Sequence, residues 1–213
     1  MAIVYIINEV TVMKKFSNLP LLQNKTQSNK NLKHIEDNIL YHASHIPNLT
    51  LLHPHKSTHG ESYVYAINSR LTSILFGAKK DDFDLIIDEE DNIPILWECY
   101  PDALKTIYSQ KSCSLYYVSK DGFLSGKTSW DAELVNPDVV PVICEEQIED
   151  IYQELLNAQK RQKCIIHSYS NLESYKNFLK EELLERILLY GLSDESMQSD
   201  PRFVKYLNQL LYK

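Results

Sequence analysis

Glycine is scarce in this chain, with five residues in 213, so loops must turn on Asn, Asp, Ser and Pro. One stretch mimics a phosphate-binding loop, "GFLSGKT" at 122–128. It has three residues between its glycines where that loop needs four, and the "SWDAELVNP" after it is a poor helix, so a hairpin turn is the better reading. Cysteine is sparse too: four residues, at 99, 113, 144 and 164, with no Cys-x-x-Cys pair. That spacing reads as reduced, buried thiols of a cytosolic protein. No stretch approaches the ~20 apolar residues of a membrane span. The opening "MAIVYIINEVTVMKK" is apolar but lacks a basic n-region and a small-residue cleavage site, so a signal peptide is not expected. Excess positive charge is missing as well. The formal charge of −7 argues against a general nucleic-acid binder, though it leaves room for a local basic groove. No internal repeat is visible. A cytoplasmic protein without a membrane partner is the expectation.

What is present fits an ordinary globular protein: 44% hydrophobic and 24% charged residues. A chain of this length forms one sizeable domain, or one domain with an extension, and buries about 70% of its unfolded surface. Residues 2–13 are β-branched and loosely alternating, as in a strand, and the polar 23–33 reads as a linker. Residues 1–37 are therefore an N-terminal arm and linker. From 38 to 143 the pattern is α+β, with many short strands: "NILYHAS", "SYVYAI", "FDLIID", "PILWECY", "SLYYVS", "GFLSGKT" and "WDAELVNP". "SRLTSILF" is a short helix with Asn68 or Ser69 as N-cap and Gly77 at C′. A second short helix opens at Pro101-Asp102. The runs "KKDDFD" and "EEDN" read as solvated loops or turns.

From 144 to 213 the chain reads as a helical extension packed on the core. Ile148, Ile151, Tyr152, Leu155 and Leu156 form one apolar face. Ser170 and Glu173 form a capping box before a helix ending at Gly191. A last helix from Asp200-Pro201 carries Phe203, Val204, Leu207, Leu210 and Leu211 on one stripe. These amphipathic helices would also suit a protein partner.

Three segments carry candidate chemistry. In "LYHAS", His42 precedes Ala43 and Ser44, small residues that let a ligand approach the backbone. In "YVYAINSRLTSILFG", a helix over 69–76 puts Leu71, Ile74 and Leu75 on one face and Ser69, Ser73 and Phe76 on another. With Tyr65, the second face could sandwich a flat ring and hold its polar substituent; the same aromatics would serve equally as core filling. In "SWDAELVNPDVVPV", Glu133 sits among apolar strand residues, a costly place for a carboxylate unless it is hydrogen-bonded or functional. Asp131 has the same strand parity and is its rival.

These segments, in this order, resemble the ADP-ribosyltransferase fold in its histidine–tyrosine–glutamate branch, which includes the poly(ADP-ribose) polymerase and diphtheria-toxin catalytic domains. That branch carries His-Gly-Ser or His-Gly-Thr on a first strand and a tyrosine running into a helix on a second. A serine follows that tyrosine by eight residues and an aromatic by eleven, as Ser73 and Phe76 follow Tyr65 here. The branch's glutamate lies on a late strand in a setting like Glu133-Leu134-Val135. The resemblance covers about residues 39–143. It departs at Ala43, where the family has glycine, and at Phe76, where it has tyrosine; Glu133 is matched by context alone.

The resemblance implies a core of short, mostly antiparallel strands in two packed sheets, with NAD as substrate. It implies that His42 holds the adenosine-side ribose and that Tyr65 and Phe76 clamp nicotinamide. Ser73 and the Ala43–Ser44 backbone would grip the amide, and Glu133 would stabilise the oxocarbenium-like centre. The acceptor stays open. Two alternatives share the core: a non-catalytic nucleotide-binding or interaction module, and an RNA 2′-phosphotransferase-like enzyme, for which His59 is a further substrate contact. His53, His55 and His59 lie close together, but no carboxylate or cysteine ligand accompanies them, and no metal is expected.

Overall fold

A computed structural model describes residues 38–56, 61–91, 93–128 and 130–212. The strand and linker read at 2–13 and 23–33, and the candidate contact His59, lie outside the described residues.

The architecture is α+β, with strands in two sheets. The larger sheet joins β1 (Ile39–Ser44), β2 (Leu51–Leu52), β3 (His55–Lys56), β4 (Ser62–Ile67), β7 (Cys113–Ser119), β8 (Glu133–Asn136) and β9 (Val140–Ile148). Its order is β2-β9-β7-β1-β4-β3, with β8 also pairing with β4. The smaller sheet holds β5 (Leu85–Glu90), β6 (Ile93–Glu98) and β10 (Ile165–His167) in the order β10-β6-β5. Helix α1 (Arg70–Ile74) follows β4 and runs into a 3-10 turn at Leu75–Gly77. Further helices are α2 (Ala103–Tyr108), α3 (Ile151–Lys160), α4 (Lys176–Leu189), α5 (Asp194–Ser199) and α6 (Asn208–Tyr212), the last entered through a π-turn at Phe203–Leu207.

Alternation decides which side chains face the core. On β4, Val64 and Ala66 pack with Leu40, Leu52, Tyr116, Val118 and Val140, all nearly fully buried. The intervening residues then lie on the other face. Antiparallel register aligns Tyr41 with Ile67, and Ile67 with Glu133, so these three lie side by side across β1, β4 and β8. Among the described residues, the pair Tyr41↔Ile67 is the single register point between β1 and β4. The buried Tyr116 fixes the loop after β1: its hydroxyl donates to the Ile46 carbonyl at 2.6 Å and accepts from Leu49 N–H at 3.1 Å.

Several elements differ from the sequence reading. The acidic run after "FDLIID" is still strand, because β5 continues to Glu90. "GFLSGKT" contributes an isolated bridge, Leu124↔Val135, rather than a strand. Ile148 ends strand β9 instead of opening a helix, and β9 spans the 143/144 position where the pattern was read as turning helical. Strand character at Glu145–Gln147 was hidden by charge. In the fold Glu146 accepts from both Arg70 and Tyr117. β10 joins the smaller sheet parallel to β6, so the C-terminal segment adds a strand as well as helices. The π-turn changes the phase of the last stripe: Phe203, Leu207, Leu210 and Leu211 are buried, while Val204 is exposed.

Candidate functional site

Ser69 caps α1, its Oγ accepting from Thr72 N–H at 3.3 Å, and this sets the direction of the helix after β4. Ile74 and Leu75 enter the core. Ser73 and Phe76 emerge on the other side and line a cavity of about 590 Å³. β1 contributes Tyr41, His42 and Ala43, and β4 contributes Tyr65, Ala66 and Ile67. Ala43 and Ala66 come from two strands that share one register point, so the cavity reaches the place where their pairing ends. Glu133 and Trp130 close another side. The volume falls within the ~300–1,000 Å³ of small-molecule sites.

Of the sequence-derived candidates, His42, Ala43, Tyr65, Ser73, Phe76 and Glu133 all line this cavity. Ser44 is not among its lining residues; its hydroxyl accepts from Ile46 N–H at 3.1 Å in a local turn. Ser69 is spent on the cap. Asp131 is exposed and outside the lining, so the fold brings Glu133 rather than its rival to the site.

His42 Nδ1 lies 2.7 Å from the Tyr65 carbonyl oxygen. A carbonyl can only accept, so Nδ1 carries the proton, and the lone pair of the neutral ring resides on Nε2. Burial holds the pKa of His42 below its ordinary 6.5; the bond to the Tyr65 carbonyl opposes this and the charge of His55 adds to it. The ring is therefore neutral at physiological pH, with an acceptor at Nε2. Phe76, 43% exposed, offers ring surface to the cavity. Its neighbour Trp130 lies at 5.9 Å between centroids, tilted by 37°. Tyr65 is braced edge-on by Tyr63, at 6.1 Å and 83°. Ser73, 2% exposed, places a hydroxyl low in the wall.

The remaining lining was not anticipated. Lys80 and Asp82 belong to a run read as solvated loop, and Arg186, Leu189 and Tyr190 to a helix read as packing. Trp130 stands three residues before Glu133 within a quoted stretch, and its size was a signal that could have been used. The other five reach the site through tertiary folding and left no local pattern. Among the described residues no cluster of His, Cys, Asp and Glu could hold a metal ion.

The chain matches no known family, no curated protein and no solved structure. The functional reading therefore stands on the residues and their geometry.

Proposed function

We propose that the cavity binds NAD and that the protein is an ADP-ribosyltransferase-like enzyme, built on the core its sequence resembles. The observation that carries this reading is the meeting of His42, Tyr65, Ser73, Phe76 and Glu133, from three separated segments, around one cavity. Tyr65 and Phe76 clamp the nicotinamide ring. Ser73 and the Ala43 backbone take its amide, at the point where β1–β4 pairing stops. The Nε2 lone pair of His42 accepts from a ribose hydroxyl. Glu133 hydrogen-bonds the other ribose and stabilises positive charge as the nicotinamide–ribose bond breaks. Nicotinamide leaves with the bonding electron pair, and an acceptor nucleophile takes its place on the ribose carbon. Binding energy from the adenosine half holds the scissile bond in position.

A 2′-phosphotransferase-like enzyme would require a basic rim. The lining carries Asp82 and Glu133 beside Lys80 and Arg186, a mixed rather than basic set.

The test is calorimetric titration of NAD into the full chain, followed by an assay of nicotinamide release. Saturable binding that is lost in a folded His42→Ala/Tyr65→Ala variant is expected. Binding without nicotinamide release would identify a non-catalytic nucleotide-binding module. An intact, folded protein that binds neither NAD nor nicotinamide would remove the proposal.

A further inference from the structure

Two cations stand in the cavity wall without a role in the chemistry above. Lys80 is partly buried, and among the described residues its ammonium makes no hydrogen bond and no ion pair. Its contact is the face of Phe76, 4.9 Å from the ring centroid. Withdrawing an ammonium from water without an anionic partner is unfavourable. The acidic groups nearby are engaged elsewhere. Asp82 accepts from the Tyr190 hydroxyl. Asp81 and Asp84 are held by Arg202, at 2.7 and 2.6 Å.

Arg186 approaches from α4. Its Nη1 donates to the Asp82 carbonyl and, at 3.2 Å, to the Leu85 carbonyl. These bonds fix the guanidinium plane, and among the described residues its other nitrogens have no partner. Burial lowers the proton affinity of Lys80; Asp82, and more weakly Asp84 and Asp81, oppose the shift and Arg186 adds to it. The two cations therefore sense each other, and an anion between them would relieve both the repulsion and the desolvation. Arginine held in a fixed plane suits phosphate oxygens, and lysine supplies a point charge beside it.

We propose that Lys80 and Arg186 receive a diphosphate, so that the cavity selects a nucleoside diphosphate over bare nicotinamide. Identifying the rest of the ligand as NAD rests on the preceding reading; the diphosphate site itself does not. In NAD one ribose separates the diphosphate from the nicotinamide ring, so a cation beside the ring-stacking Phe76 is placed to reach it.

Titrations of nicotinamide, ADP-ribose, NAD and inorganic pyrophosphate into the full chain test this, in wild type, Lys80→Gln and Lys80→Arg. Lys80→Gln is expected to weaken ADP-ribose and NAD by about tenfold, the scale of one charge-assisted hydrogen bond, with nicotinamide unchanged. Lys80→Arg restores most of the loss. Equal ADP-ribose affinity in wild type and Lys80→Gln overturns the proposal, as does a parallel loss of nicotinamide, which would assign Lys80 to ring packing. Lys80-dependent binding of pyrophosphate and ADP-ribose with no nicotinamide binding would uphold the diphosphate site and reject NAD as the ligand.

Discussion

At the scale of single residues, protonation decides what His42 can do. His42 has a folded pKa below 6.5 because of burial. As pH falls through that value the unfolded chain takes up the proton first. The stability linked to this group is therefore complete above 6.5 and is lost as pH drops toward the folded pKa. Ligand binding through Nε2 follows the same sign. NAD affinity should be flat from about pH 8 down past 6.5 and fall only as pH nears the lowered folded pKa of His42, and His42→Gln should flatten that lower limb; a wild-type affinity that rises on acidification would contradict the assignment. Glu133→Gln should slow nicotinamide release by roughly 10²–10³-fold, as loss of one transition-state contact does. NAD affinity and melting temperature should change little. Three of the four cysteines offer no competing nucleophile: burial pushes Cys99 and Cys164 up to about 12 and Cys113 up to about 11. These thiols should resist alkylation at neutral pH until the protein unfolds.

Among the elements, the 3-10 turn after α1 is held by a close approach. A Cβ on Gly77 would lie 2.5 Å from both Cβ and Sγ of Cys113 on β7. The sequence places Gly77 at C′, a position that favours left-handed backbone, but among the described glycines positive φ occurs at Gly122, Gly126 and Gly191 and not here. Its role is packing, and Gly77→Ala should cost roughly 1–3 kcal/mol in denaturant titrations. Gly191, by contrast, closes α4 as the sequence suggests: it has φ 56°, and Leu192 N–H donates to the Ile187 carbonyl at 3.1 Å. Near the C-terminus, hydrogen bonds from Arg202 hold Asp200 below its ordinary 3.8. A depressed carboxylate stabilises the fold above 3.8 and loses that contribution as pH falls through its folded pKa. Arg202→Met should therefore melt earlier at neutral pH, with the gap to wild type closing in acid. β1, β4 and α1 were legible because alternation, a capping serine and an apolar face are all local signals. β9 was not, because Pro141 and the Glu145–Glu146–Gln147 run contradict strand composition until tertiary partners satisfy them. β10, three residues long, is too short to carry a pattern. The same divide holds at the site: the spacing of Tyr65, Ser73 and Phe76 can be read along the chain, whereas Lys80 and Arg186 meet only through folding.

At the scale of the molecule, the C-terminal third is part of what makes the site. β9 continues past residue 143 paired with β7: Val142 lies opposite Val118, the register shifts by one residue, and Cys144 to Ile148 then run opposite Tyr117 to Cys113. Leu155, Leu179 and Leu183 are fully buried, and Arg186 and Tyr190 line the cavity. A chain ending at 143 should therefore fail to fold, giving no cooperative melting transition by circular dichroism. Among the described residues no helix is long and apolar enough to cross a membrane. The central claim is that the β1, β4–α1 and β8 segments enclose one NAD-binding cavity. A crystal structure of the full chain soaked with NAD tests it most directly. The account predicts nicotinamide between Tyr65 and Phe76, its amide at Ser73, and ribose hydroxyls at His42 and Glu133. NAD bound elsewhere on the molecule, or a saturating soak that leaves this cavity without ligand density, would contradict it.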